Sequence, residues 1–341
     1  MKKKSIIALA LALSATALAA CGNVNQKLSF NANWQQQILN ESQTASTEEL
    51  TYEVKFEKAS FLQKDYFTVE YCGKNNDTPG SYTTKLEYLP EGDAYRYSTE
   101  LKMDVKFTLA DGQFTAAQDV VTTETIFKKA SKDLQPISST KNVVCHSPNN
   151  VAAITLDGTY KRYDYQFKID YNYDGDTLSG GKLTQTDRAG TLLDKEAYPD
   201  GIRTQEFGID LKKYTYLDNE QILFAIRGLS SSTLAGAKKL NTYNASLGVV
   251  EINSLTPSTA AKTDFTFSLN GGEAKAHEID YVPMTLKSEN KNNKITQSLW
   301  YAKSGEANNN VYRNALLKMV VTMHYGLGML TYTLKDAKFS H

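Results

Sequence analysis

The sequence predicts a mostly β protein: a large curved antiparallel sheet, half-barrel or barrel-like, with one short helix. Three observations predict it. From Tyr163 to Tyr173 every second side chain is aromatic or aliphatic (Tyr163, Tyr165, Phe167, Ile169, Tyr171, Tyr173), while Arg162, Asp164, Gln166, Lys168, Asp170, Asn172 and Asp174 alternate with them. A period of two puts these sets on opposite faces of a strand, and at about 3.3 Å per residue the run spans roughly 35 Å, longer than an ordinary strand. Residues 95–109 repeat the pattern with Tyr95, Tyr97, Leu101, Met103, Val105, Phe107 and Leu109 on one face. Finally, Asp111-Gly112, Asp157-Gly158 and Asp174-Gly175 punctuate the strands with tight-turn chemistry, and parallel pairing would need crossover segments for which there is no room.

Taken in order, the chain opens with Lys2, Lys3 and Lys4, then an apolar run from Ile6 to Ala20 that is too short for a membrane span. The run closes on Leu18-Ala19-Ala20-Cys21, which resembles the Leu-x-x-Cys box of a bacterial lipoprotein signal. That resemblance implies cleavage before Cys21, lipidation of its sulfur, and a mature chain tethered to a membrane in the cell envelope. Several acyl chains hold a protein on a bilayer far more firmly than one. The expected organisation is a signal over 1–20, a polar tether over 21–50 with one helical turn near Trp34, Ile38 and Leu39, and a β domain over 51–341, either continuous or in halves of about 51–200 and 201–341.

Strands are expected over 52–57, 67–71, 82–88, 95–109, 113–127, 160–176 and 179–187, each alternating apolar and polar residues. The helix is expected over 217–228, with Asp218 as N-cap, Gln221 in the capping-box position and Gly228 as the stop. Strands resume over 240–253, 263–270, 273–286, 295–303, 313–323 and 329–336, and Asn270-Gly271-Gly272 fits a hairpin. A sheet of this size must cover its apolar face by curling or by accepting a helix. A half-barrel closed by the short helix is therefore expected ahead of a full barrel or two sandwiches. Charges along one face of the strands argue against a barrel embedded in the membrane.

Between Tyr82 and Leu334 the order of features resembles uncharacterised bacterial envelope proteins with a curved one-sheet fold, similar to the half-barrels of lipoprotein carriers. The pieces are Leu134-Gln135-Pro136-Ile137-Ser138-Ser139 at the end of a strand, the tyrosine strand, Ile222 to Leu229, and Ser298-Leu299-Trp300-Tyr301-Ala302-Lys303. The resemblance implies a lipid or other hydrophobic ligand.

Charge narrows the partners. Basic and acidic residues balance at 38 each, and removing residues 1–20 takes away three lysines and leaves 35 against 38. So even a mixture lacks the basic stripe that a nucleic acid requires. The expected partners are the membrane, through the lipid on Cys21, and a lipid, glycan or envelope protein.

Chemistry-bearing motifs are sparse. Asp170-x-Asn172-x-Asp174-Gly175 matches the first half of a calcium loop, although position twelve is Gly181 rather than glutamate, and a charged strand running into an Asp-Gly hairpin gives the same residues. Calcium is the one ion suggested, and no cofactor is expected. Cys72 and Cys145 either form one disulfide or stay as two separate thiols. Cys145-His146 offers a thiol beside a base, but strand neighbours point to opposite faces. Tyr95, Tyr97, Tyr163, Tyr165, Tyr171 and Tyr173 either fill a core or line a cleft that stacks on sugars or acyl chains. The function expected is a lipid-anchored binding or scaffold protein, more consistent with a non-enzyme; the alternative is a secreted wall hydrolase working through a carboxylate pair.

Overall fold

A computed structural model describes residues 27–30, 47–58, 68–71, 80–108, 114–129, 133–148, 160–229, 236–293, 295–303, 311–322 and 328–339. Its strands are β1 (Thr47–Lys58), β2 (Thr68–Tyr71), β3 (Gly80–Leu89), β4 (Ala94–Thr108), β5 (Phe114–Lys128), β6 (Pro136–Pro148), β7 (Tyr160–Asp174), β8 (Thr177–Asp187) and β9 (Ile202–Gly208). They continue as β10 (Thr215–Tyr216), β11 (Lys238–Asn244), β12 (Val249–Pro257), β13 (Ala261–Leu269), β14 (Lys275–Ser288), β15 (Thr296–Ala302), β16 (Leu316–Thr322) and β17 (Gly328–Phe339).

All of them belong to one hydrogen-bonded sheet, antiparallel except for short parallel contacts of β10 with β11 and of β13 with β17. The second contact closes a ring. β13, β14, β15, β16 and β17 pair in succession, and β17 returns to β13 through Ser268 opposite Asp336 and Leu269 opposite Ala337. The closure is pinned at the β13–β14 connection, where Asn270 (φ 52°) and Gly271 (φ 77°) both take the left-handed region and the Gly272 N–H closes a type I′ turn on the Leu269 carbonyl at 3.0 Å. There Asn270 donates its backbone N–H to the Ala337 carbonyl at 2.8 Å, and its side-chain oxygen accepts from the Phe339 N–H at 2.8 Å.

From this five-stranded barrel the sheet extends in both directions. β1 adds to the free edge of β17, and β3 to β9 follow as a broad curved arm; β12, β11 and β10 extend from β14. Since β1 pairs with β3 on one side and β17 on the other, residues 51–200 and 201–341 share one sheet; its main core draws residues from Leu28 to Phe339, and a second cluster forms around Phe167, Ile169, Tyr171 and Tyr243. Bulges between Thr51 and Tyr52, Ile126 and Phe127, and Asn172 and Tyr173 supply the extra twist that lets strands this long curl.

The helical segment fills the curl. It comprises a 3-10 turn over Asn219–Gln221, one α-turn, α1 (Ile222–Ala225), and a second 3-10 turn over Ile226–Gly228. Ile222, Phe224, Ala225 and Ile226 are all buried, so the middle of the segment packs into the interior, while the buried side chains of Gln221 and Arg227 flank it. Its start follows the sequence: Asp218 accepts from the Glu220 N–H, and Gln221 completes a capping box.

Several expectations are corrected. Residues 240–253 are a hairpin of β11 and β12, not one strand. Pro136 starts a strand instead of lying at the end of one, and β9 is an additional edge strand. Within the stretch read as a tether, Leu28 and Phe30 are buried in the core, Phe30 bridges to Leu229, and β1 already begins at Thr47. Trp34, Ile38, Leu39, Cys21, Cys72, Asp111-Gly112 and Asp157-Gly158 lie outside the described residues.

Candidate functional site

The inward face of the arm carries hydroxyls where a sandwich core would carry only aliphatics. Thr84, Thr99, Thr123, Thr125 and Ser139 are buried on neighbouring strands β3 to β6, and the Thr99 and Thr123 hydroxyls lie 2.7 Å apart. The band ends on Asp218, which is 1% exposed. One Asp218 oxygen accepts from the Glu220 N–H (2.8 Å), Ser139 (3.0 Å) and Thr125 (3.4 Å), and the other accepts from the Tyr171 hydroxyl at 2.5 Å. Burial nevertheless pushes its carboxyl up to about 6, because loss of hydration outweighs four donors.

Above Asp218 lies a cavity of about 400 Å³. Ser139, Lys141, Tyr165, Phe167 and Ile169 of β6 and β7 form one wall, and Asp218 to Leu223 form the floor. The opposite wall comes from the β11–β12 hairpin and the β14–β15 connection. Where the two ends of the sheet approach, closure is by side chains: Phe207 of β9 stacks on Tyr243 of β11 with centroids 3.8 Å apart and planes 7° apart, and the Gln205 amide donates to the Gly248 carbonyl at 2.9 Å.

The opposite wall inverts the usual pattern. On β12, Val249 and Val250 are exposed, whereas Glu251 (5% exposed) and Asn253 (6%) point inward beside Leu255. Asn244 and Asn293 both donate to one Glu251 oxygen, at 3.3 and 2.8 Å, and Asn253 donates to Thr242 at 2.8 Å. Of the ten buried side-chain polar atoms without a hydrogen-bond partner among the described residues, three face this cavity: the second Glu251 oxygen, the Gln297 side-chain oxygen and the Tyr243 hydroxyl. Natural cores pair such groups almost without exception, so three of them around one cavity mark a place where folding alone does not set the residue choice.

Of the tyrosines read as ligand-binding candidates, only Tyr165 lines this cavity; it is half-buried, and burial pushes its hydroxyl pKa up. Tyr95, Tyr97 and Tyr171 are core residues: Tyr95 stacks on Phe127, Tyr97 lies against Phe224, and Tyr171 serves Asp218 and meets the Tyr216 hydroxyl at 3.1 Å. Tyr173 donates to the Pro136 carbonyl at 2.6 Å, and Tyr163 sits under the Lys161 ammonium, outside the cavity lining. The aromatic face of β7 therefore points inward, but most of it is spent on packing.

Asp170, Asn172 and Asp174 stand in a row on the exposed face of an extended strand, i, i+2 and i+4, so Asp170 and Asp174 are about 13 Å apart along it. Asp170 is paired with Lys168 at 3.0 Å. Among the described residues no group of His, Cys, Asp or Glu could hold a metal ion. Cys145 is a free, half-buried thiol that burial, then the Asp119 charge, pushes up to about 12. The His146 Nδ1 lies 2.9 Å from the Asp119 carboxylate, which also accepts from the His146 backbone N–H at 3.0 Å.

Three carboxylates line the cavity: Asp218 accepts four hydrogen bonds, Glu220 is held by Lys141 and Asn219, both at 3.0 Å, and Glu251 has one oxygen on Asn244 and Asn293.

No family model matches the chain. No curated protein matches it either. Among solved structures, a β-barrel-like protein of the domain of unknown function DUF1849 from Brucella abortus is similar, with 10% identity and a TM-score of 0.43 over 86% of this chain and 98% of that one.

The signal that sequence reasoning missed was present. Glu251 and Asn253 alternate with Val250 and Ile252, and assigning the valine to the inside puts the wrong face of β12 in the core.

Proposed function

We propose that this chain is a lipid-anchored binding protein of the cell envelope that holds a small ligand in the cavity between β6–β7 and the β11–β12 hairpin. Support for the binding half is the Glu251 wall: a buried, polar, incompletely paired surface facing a cavity in the size range of small-molecule sites. Support for the anchor is the Leu18-Ala19-Ala20-Cys21 box behind a basic and apolar leader. A rigid barrel beside a curved arm suits a binder, since the site is then built on strands rather than loops. With Glu251, Asn253, Asn293 and Gln297 in the lining, a polar ligand such as a glycan unit suits it better than an acyl chain.

Two measurements test the proposal. Native mass spectrometry of the protein extracted from its own cells should find a small molecule that is lost when Leu223, in the cavity floor, is enlarged by Leu223→Trp; a protein that is empty under all extraction conditions would count decisively against binding. Cys21→Ala should move the protein from the membrane to the soluble fraction and remove lipid mass from its N-terminal peptide. Unchanged fractionation would reject the anchor.

A further inference from the structure

The charge balance around the cavity narrows the ligand class. Asp218 is satisfied by four donors, Lys141 and Glu220 neutralise each other at 3.0 Å, and Lys287 is exposed. Among the described residues Glu251 is left as the uncompensated charge of the wall, nine-tenths buried, with one oxygen bound to two asparagine amides and the other without a partner. A buried carboxylate oxygen without a donor is costly, and a cationic donor is the group that relieves it best. Gln297 and Tyr243 add an acceptor and a hydroxyl that also lack partners. A hard metal ion would demand several oxygen ligands of this kind, and among the described residues there is no such group.

We infer that the cavity takes a primary ammonium carried on a hydroxylated body of monosaccharide size, an amino sugar, with the ammonium on Glu251 and the hydroxyls on Gln297 and Tyr243. This rests on the binding reading above and deepens it.

Calorimetric titration of the full chain with glucosamine, N-acetylglucosamine, glucose, lysine and an apolar naphthalene sulfonate probe tests the assignment. Glucosamine should bind roughly tenfold to a hundredfold more tightly than glucose or N-acetylglucosamine, the ratio expected for one charge-assisted hydrogen bond. Glu251→Gln should erase that preference, while Glu278→Gln, which removes an exposed partner of Lys262, should keep it. The wild-type comparison of glucosamine with its N-acetyl form needs no variant, so a misfolded Glu251→Gln protein does not blunt the test. Equal affinity for lysine and glucosamine would support the ammonium and overturn the hydroxylated body. Binding of only neutral or apolar probes would overturn the ammonium while leaving the cavity a binding site. Binding of no probe, with nothing co-purified, would overturn both.

Discussion

Glu48 and Arg227 provide the sharpest test of how this barrel is held together. Both side chains are 3% exposed, and they pair through two hydrogen bonds, Nη2 to Oε2 at 2.8 Å and Nη1 to Oε1. The guanidinium also donates to the Arg313 carbonyl at 2.7 Å, and Asn314 returns a bond to the Arg227 carbonyl at 2.9 Å, so the pair ties β1 to the helical plug and to the turn before β16. Glu48→Gln keeps the shape and removes the charge. It leaves Arg227 buried without a counter-charge, next to Arg313, whose own guanidinium burial and Arg227 already pull down to about 10. Removing one partner of such a pair costs about 3–5 kcal/mol, a large share of the roughly 5–15 kcal/mol that a folded domain has. With a urea m-value of about 3 kcal/mol/M for a chain of this length, the unfolding midpoint should fall by about 1–1.7 M. The assay is urea unfolding followed by circular dichroism, with Arg227→Met and the double variant alongside. The double variant should recover about 2–3 kcal/mol relative to the sum of the single losses, since the stranded charge is gone. A Glu48→Gln midpoint within about 0.3 M of wild type, or simple additivity, would refute the reasoning.

Three further outcomes follow from other positions. Asp218 has a folded pKa raised to about 6, so its protonated form is favoured by folding: its contribution is fully present below the unfolded value and is lost as pH rises through 6. Asp218→Asn should therefore gain about 2 kcal/mol on wild type between pH 4 and pH 7, read as the change in the stability difference; a difference independent of pH would reject the shift. Gly328 has φ 152°, and an added Cβ would sit 2.2 Å from the Glu57 carbonyl oxygen, so Gly328→Ala should destabilise by about 3 kcal/mol or more; Gly208→Ala, in open space on an edge strand, should stay within about 1 kcal/mol in thermal melts. Phe207→Ala should cost about 1–3 kcal/mol and speed amide exchange in β9 while β13 to β17 keep their protection; uniform exchange would mean the arm and barrel open together.

Alternation and turn chemistry are local properties, and they were enough to read most of the fold. Period two in residues 95–109 and 163–173 gave β4 and β7 and the outward placement of Asp170, Asn172 and Asp174. Asp218, Gln221 and Gly228 marked the helical segment because a capping box lies within four residues. β6 escaped notice because Ser138 to Asn142 is polar on both faces, and the inward hydroxyl of Ser139 is explained only by an aspartate 79 residues away.

What the sequence determined by itself is that this chain forms long two-faced antiparallel strands, because the side chains of each strand carry that information in their order. Which face turns inward, and what it meets there, was decided by tertiary structure alone. The parallel contact of β13 with β17 closes the barrel, Asp218 collects donors from Thr125, Ser139 and Tyr171, and Glu251 rather than Val250 faces the cavity. Each of these depends on partners far away in the chain. A buried polar group can be told from an exposed one only when those partners, or their absence, are in view.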